Sequence, residues 1–235
     1  MHKIRKFDAH IRKATSEERD FFENKLYPFQ DEVFLLIQNE QFYLSGGTCL
    51  SRFYYDHRYS EDLDFFFDGF NLTRETYEVE FREIVNRISD SFQVEITVDA
   101  EYYKRGFIRK GDLELKVEFI YENYKNVGSR RKAQGILVDS RENIATNKLT
   151  AVYDRKTVKD FIDLYFILQD VLFEQVTAWA ETKIVPLDYE GVLLAFAEQP
   201  LEGIALMKKD ISPADFNRFM VELIDRILDH AKRNS

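Results

Sequence analysis

Asp62 and Asp64 stand two apart in the segment SEDLDFFF, residues 60–67, whose apolar run Leu63–Phe67 predicts a β-strand. Side chains at i and i+2 share one face of a strand. Two carboxylates side by side repel unless a cation lies between them. Hard oxygen ligands of this kind suit Mg²⁺, which binds through one or two carboxylates together with substrate phosphates. Upstream, Gly46-Gly47-Thr48 falls between a short apolar run, Gln41 to Ser45, and a stretch that reads as helix, Thr48 to His57. Glycines in such a turn let backbone N–H groups approach a phosphate, and the start of a helix adds positive potential. Thr48 offers a hydroxyl to the same phosphate. Taken singly, each feature is weak: a D-x-D pair arises often by chance, and Gly-Gly before a helix is commonly a plain turn. The order strand, glycine turn, short helix, acidic strand carries the signal.

Those residues need a scaffold, and the periodicity supplies one. Ser16 to Gln38 reads as a helix with Ser16 as its N-cap, broken or kinked at Pro28. Tyr77, Phe81, Ile84, Val85 and Ile88 recur at helical spacing within Thr73 to Phe92. Three strands follow, Val94 to Val98, Tyr103 to Arg109 and Leu113 to Tyr121, the last two joined by a turn at Gly111-Asp112. In the third, Leu113, Leu115, Val117 and Phe119 alternate with Glu114, Lys116 and Glu118, giving one apolar and one charged face. Asn123 to Gln134 is polar and basic and reads as a loop. Beyond it the pattern is helical: Glu142–Tyr153, Val158–Phe173, Gln175–Ile184, Tyr189–Ala197 and Pro213–Arg233. Strands first and helices after predict an α+β fold, a mixed-sheet domain over residues 1–135 with N-terminal helices, then a helical domain over 136–235 that closes the cleft.

Composition narrows the class. The chain has 235 residues, 45% of them hydrophobic and 32% charged, ordinary values for a globular protein with a real core. Its one cysteine, Cys49, excludes an internal disulfide and a cysteine zinc site and reads as a small core residue. No apolar run is long enough to span a membrane, and the basic N-terminus lacks the apolar stretch of a secretory signal, so a cytoplasmic location is expected. The net charge of −9 opposes indiscriminate binding to nucleic acid. The charge is uneven, however. Between Lys125 and Lys159 nine Lys/Arg face three Asp/Glu, and from Asp160 to Ser235 seven face fourteen. The basic middle is either a phosphate-facing surface or a plain solvated one.

The stretch Phe42 to Phe67, FYLSGGTCLSRFYYDHRYSEDLDFFF, resembles the nucleotidyltransferase superfamily, in which a Gly-Gly or Gly-Ser turn precedes D-x-D. More narrowly it is similar to the AbiEii/AbiGii-type toxins, the enzymatic half of bacterial abortive-infection toxin–antitoxin pairs, which include the MenT toxins. His57, Arg58, Ser60, Asp62, Leu63, Asp64 and Phe65 fit the first motif of that family. A second block, Asn147 to Leu168, resembles its later motif at Lys148, Ala151, Arg155, Lys159, Asp160, Asp163 and Leu164. The resemblance implies transfer of a nucleotide from an NTP, with Mg²⁺ or Mn²⁺, to an acceptor such as tRNA, and an antitoxin partner encoded nearby. It implies a third carboxylate from a later strand, for which Glu118 is the first candidate and Glu114 the second.

The expected site therefore comprises Asp62, Asp64 and Glu118 at the metal. Gly46, Gly47, Thr48, Arg58, Lys148 and Arg155 would bind the nucleotide, and Lys148 and Asp160 would join the catalytic set. Each has a plainer reading. Arg58 could pair with Glu61 or Asp62 as scaffold. Asp160 could complete a capping box with Thr157. Asp163, among apolar neighbours, needs a cationic partner, and Lys148 or Arg155 would serve. Two other functions compete: a small-molecule nucleotidyltransferase of the antibiotic-modifying kind, and a nucleotide- or RNA-binding module that has lost the chemistry.

Overall fold

A computed structural model describes residues 11–154, 157–183 and 202–234. They divide into two compact units, one of residues 15–54 and 60–140, the other of residues 11–14, 55–59 and the described residues from Arg141 onward. The sequence reading drew one boundary, between residues 135 and 136. The units are interleaved instead, because the chain lends its short segment 55–59 to the second unit and returns.

The first unit is built on a seven-stranded sheet. Its strands are β2 (Phe42–Ser45), β3 (Leu63–Asp68), β4 (Gln93–Asp99), β5 (Tyr103–Lys110), β6 (Leu113–Glu122), β7 (Arg131–Ala133) and β8 (Ile136–Val138), in the order β4-β5-β6-β3-β2-β8-β7. The sheet is mixed: β6 runs parallel to β3 and β8 parallel to β2, while β3 and β2 are antiparallel. β7 and β8 lie where the sequence reading placed a loop and the start of the helical domain. Three-residue strands are too short to carry a periodic signal; β8 forms by pairing with β2 through Tyr43–Leu137 and Leu44–Val138, and β7 by pairing with β8.

One face of this sheet is apolar and covered by helices α2 (Tyr27–Ile37) and α4 (Arg74–Ser89). Phe42 packs against Phe67, Tyr77 and Phe119 with ring centroids 5.2, 5.7 and 5.4 Å apart, and Phe34 of α2 meets Phe65. These rings are buried, and each contributes on the order of 1.5–3 kcal/mol by leaving water. Because β3 alternates buried and partly exposed positions from Leu63 to Asp68, Asp64, Phe66 and Asp68 fall on the opposite face.

Two helix expectations are corrected. Thr15, not Ser16, caps the first helix: its hydroxyl accepts from the Glu18 N–H while the Glu18 carboxylate accepts from the Thr15 N–H, a reciprocal box. Pro28 does not break the helix. α1 (Ser16–Phe21) passes through a π-helical turn, Phe22–Leu26, straight into α2, and the wider turn accommodates the proline ring at the second residue of α2.

The second unit contains α5 (Arg141–Asp154), α6 (Val158–Asp170), α7 (Phe173–Lys183) and α8 (Pro213–Asn234). It also holds a small strand pair, β1 (Ile11–Lys13) parallel to β9 (Ala205–Met207), which the helical pattern gave no sign of. The segment 55–59 joins it: Arg58 forms an antiparallel bridge with Met207, and the Tyr59 N–H donates to the Leu206 carbonyl at 2.8 Å. The expected helix Tyr189–Ala197 and the site residue Arg155 lie outside the described residues. Among the described residues no helix is long and apolar enough to cross a membrane.

Candidate active site

The glycine turn and the acidic strand meet because β2 and β3 are antiparallel neighbours, with Ser45 opposite Asp64. Asp64 in turn lies in register beside Glu118 on β6. Helix α3 (Gly46–Leu50) leaves the end of β2 at this point, and a π-helical turn, Ser51–Tyr55, extends it. Gly46 has φ +67°, a left-handed conformation that side chains resist. A Cβ there would also run into the Asp64 carboxylate, lying 3.2 Å from its Cγ and closer still to Oδ2. Gly47, by contrast, is buried within α3 and is not in the left-handed region.

Thr48 is buried, and its hydroxyl donates to the Asp62 carbonyl and lies 2.9 Å from the Ser60 hydroxyl. It clasps the start of α3 to the entry of β3. The expectation that it offers its hydroxyl to a phosphate gives way to this positioning role, since that hydroxyl already has partners. Asp62 lies immediately before β3 rather than within it, and its carboxylate is 44% exposed.

Glu118 is held by three donors that converge on Oε1: the Tyr103 hydroxyl at 2.7 Å, Arg105 Nε at 2.9 Å and Lys116 Nζ at 3.4 Å. Burial would raise its carboxyl pKa. The Tyr103 hydrogen bond and the Lys116 and Arg105 charges overcome that and hold it below the usual range. Glu114, the other candidate, is turned to Arg109 at 2.7 Å and exposed.

Lys116 is the site residue that the sequence reading passed over. It stands two before Glu118 on the same face and reaches Asp62 Oδ2 at 2.8 Å. Burial lowers its pKa, but hydrogen bonding to Asp62 and the charges of Asp62, Glu118 and Asp64 raise it overall, so the ammonium is firmly charged. The signal was the K-x-E spacing on the charged side of an alternating strand. A second omission is Asp139, fully buried just after β8, which accepts from the Ser45 hydroxyl at 2.6 Å and the Ser140 N–H at 2.8 Å. It fixes the residue before the glycine turn, and nothing in its sequence context marks it.

The donor set suits a divalent cation completed by substrate. Among the described residues no three His, Cys, Asp or Glu side chains form a metal-holding group on their own. Yet Asp62 and Glu118 already share one cation, the Lys116 ammonium. Oxygen ligands around a compact positive charge match Mg²⁺, which takes its remaining ligands from phosphates and water.

The second block builds a different structure, inside the second unit. Arg58 grips Asp163 side-on, Nε to Oδ1 at 2.7 Å and Nη2 to Oδ2 at 2.8 Å. Lys148 Nζ lies 2.7 Å from both Asp163 Oδ2 and Asp160 Oδ1. His57 Nε2 is 2.8 Å from Asp163 Oδ1, and the Thr157 hydroxyl donates to Asp160 Oδ2 at 2.6 Å. Arg58 is 2% exposed and Asp163 fully buried. Burial would raise the Asp163 carboxyl, but Arg58 and Lys148 drive it well below the usual range. For Lys148 burial acts downward, and Asp163 and Asp160 outweigh it upward. His57 is lowered chiefly by burial, against its hydrogen bond to Asp163. With His57 neutral, two cations balance two anions. Arg58 therefore pairs with Asp163, not with Glu61 or Asp62. Lys148 and Arg58, expected on the nucleotide, and Asp160, expected in the catalytic set, are all engaged in this buried network.

The basic stretch is largely engaged too. Arg130 pairs with Asp68 and lies over the Tyr43 ring, Arg131 donates to the Phe53 carbonyl, Lys132 meets Glu40 and Arg141 meets Asp170.

Comparison with known proteins adds three findings. The family described as "Nucleotidyl transferase AbiEii toxin, Type IV TA system" matches residues 34–232. An uncharacterized protein of Aquifex aeolicus is 30% identical over 167 residues, covering 68% of this chain and 69% of its own. Among solved structures, MenT4, a nucleotidyltransferase toxin from Mycobacterium tuberculosis, superposes with a TM-score of 0.59 at 16% identity over 87% of this chain and 83% of its own. JHP933 from Helicobacter pylori gives 0.56 at 18% identity over 90% and 95%. At these identities the two structures speak for the fold.

Proposed function

We propose, from the premise that this chain belongs to the family of AbiEii nucleotidyltransferase toxins, that it moves a nucleotide from an NTP to an acceptor at the Gly46–Asp64–Glu118 corner of its sheet. The observation that carries the reading is the fit between Gly46 and Asp64. The turn that would receive phosphate and the acid that would hold a metal are in contact, and only glycine permits it.

Asp62 and Asp64 would hold the divalent ion, with Glu118 as third ligand. When bound, the ion neutralises triphosphate charge and stabilises the attacking and leaving oxygens. The protein's own part is positioning and electrostatics. Ser45, tied to Asp139, and Thr48, tied to Asp62, keep the Gly46–Gly47 turn against the acids, where its backbone N–H groups can meet phosphate. Tyr103 and Arg105 fix the Glu118 carboxylate, and their hold keeps it ionised. That suits a ligand and opposes its taking a proton from the acceptor. Lys148, Asp160 and Arg58 would serve the fold of the second unit through their buried network, since Lys148 would have to leave two carboxylates to reach a phosphate.

The acceptor in this proposal is RNA, tRNA in particular, in the cytoplasm, with a cognate antitoxin as partner. A small-molecule acceptor is the second reading, and one observation favours it: the basic side chains that would track an RNA backbone are largely paired within the protein. The test is incubation with each labelled NTP, Mg²⁺ or Mn²⁺ and total RNA, followed by a gel. Label entering RNA with one NTP is the expected result. Label transferred only to small acceptors would select the second reading. No transfer with any NTP or acceptor would remove the enzymatic one.

A further inference from the structure

Lys116 is placed to do more than neutralise charge. Its ammonium lies 2.8 Å from Asp62 Oδ2 and 3.4 Å from Glu118 Oε1, where a cation bridging those carboxylates would also sit. On these oxygens the two positive charges would repel at close range, so Lys116 and a divalent ion compete for them. The residue is suited to yield: it is 30% exposed and carries its charge on a flexible four-carbon stem. Local charge gives the direction. Asp62, Asp64 and Glu118 bring three negative charges, and Lys116 and Arg105 bring two positive ones. A divalent ion turns that deficit into an excess, which the ammonium relieves by moving onto a triphosphate.

We propose that Lys116 is an exchangeable counter-ion. It holds the carboxylates together until a divalent cation displaces it, and its released ammonium then binds the phosphates of the incoming NTP. This rests on the metal site proposed above. Arg105, which also contacts Glu118, does not share the role, because its contacts leave Asp62 untouched.

The test begins with Mn²⁺ binding in the absence of NTP, followed by the loss of the free-ion paramagnetic signal on titration. Wild type is compared with Lys116→Met, Lys116→Arg and Asp64→Asn. Removing the competitor should tighten Mn²⁺ binding in Lys116→Met by roughly fivefold, the factor set by about 1 kcal/mol of surface ion pairing. Lys116→Arg, which keeps the charge, should bind Mn²⁺ near the wild-type level. In transfer assays at saturating Mn²⁺, Lys116→Met should raise the KM for NTP, and Lys116→Arg should restore much of the loss. Unchanged or weaker Mn²⁺ binding by Lys116→Met, with Asp64→Asn still impaired, would overturn the exchange and leave the metal site standing. Unchanged binding by Asp64→Asn would overturn the site itself, and the exchange with it. Circular dichroism checks that each variant is folded, and Lys116→Arg carries the comparison if Lys116→Met is not.

Discussion

The carboxylate of Asp64 lies against the bare α-carbon of Gly46, on the strand next to it, so closely that a methyl group could not be placed between them. Gly46→Ala therefore meets two obstacles, a left-handed φ and a direct clash. Destabilisation of about 1–3 kcal/mol is expected from the backbone alone, with loss of transfer as Asp64 is pushed aside. Urea denaturation beside a labelled-NTP assay measures both. An alanine variant with wild-type stability and turnover would show that the contact is not needed.

Asp64→Asn and Asp62→Asn should each reduce transfer by about 10²–10⁴-fold, the equivalent of several kcal/mol of lost charge stabilisation at the phosphate. Neither should lower the melting temperature much. Asp62 is half-exposed and its ion pair with Lys116 is of the surface kind, which contributes little to stability. A variant that stays within tenfold of wild type in turnover would remove that residue from the metal site.

The buried network predicts the opposite pattern. Asp163→Asn leaves Arg58 and Lys148 with one carboxylate between them in a site closed to water. Stranding a buried charge costs about 3–5 kcal/mol, so the urea midpoint should fall sharply. Lys148→Met, which strands a negative charge, should do the same. If Lys148→Met keeps its midpoint and loses transfer, Lys148 touches the nucleotide after all.

His57 sets a pH dependence. Its folded pKa lies below the ordinary imidazole value of about 6.5 because burial disfavours the charged ring. The unfolded chain therefore takes up the proton first as pH falls. The stability involved is complete above about 6.5 and declines as pH drops through 6.5 toward the folded value, with a slope of at most about 1.4 kcal/mol per pH unit. His57→Gln keeps a nitrogen able to donate to Asp163 and does not titrate. Denaturation of both proteins at pH 7.5 and 5.5 should show a smaller acid loss for the variant, and equal losses would exclude His57 as the source. Asp163 adds a loss of its own at lower pH in both proteins, since its carboxyl is depressed.

The sheet and most helices were legible because their signals are periodic. Alternation along Leu113–Glu122 and helical spacing from Tyr77 to Ile88 each encode one buried face. What escaped depends on partners far along the chain. β8 exists because β2 offers it an edge, β7 because β8 does, and β1 and β9 because each offers the other one. The Asp62–Asp64 pair could be read from spacing, and so could the preference for Glu118 over Glu114, while the β3–β6 register that sets Glu118 beside Asp64 could not. Lys116 was hidden by its ordinariness: a lysine on the charged side of a strand reads as solvated until its neighbours are known. Lys148 could be read as a partner for the apolar-flanked Asp163, and it is one, but that Arg58 shares Asp163 and that Asp160 joins Lys148 follows only from tertiary structure.

The loan of residues 55–59 to the second unit has a temporal consequence. Asp163 follows Arg58 by 105 residues, so at about 5–20 residues per second it leaves the ribosome roughly 5–20 s later. All seven strands of the sheet have emerged before that interval closes, since the last of them, β8, ends at Val138. The nascent protein can thus assemble the corner that holds Gly46, Asp64 and Glu118 while Arg58 and His57 still wait in water for the carboxylate that will bury them. Synthesis, not only thermodynamics, orders the two halves of the motif.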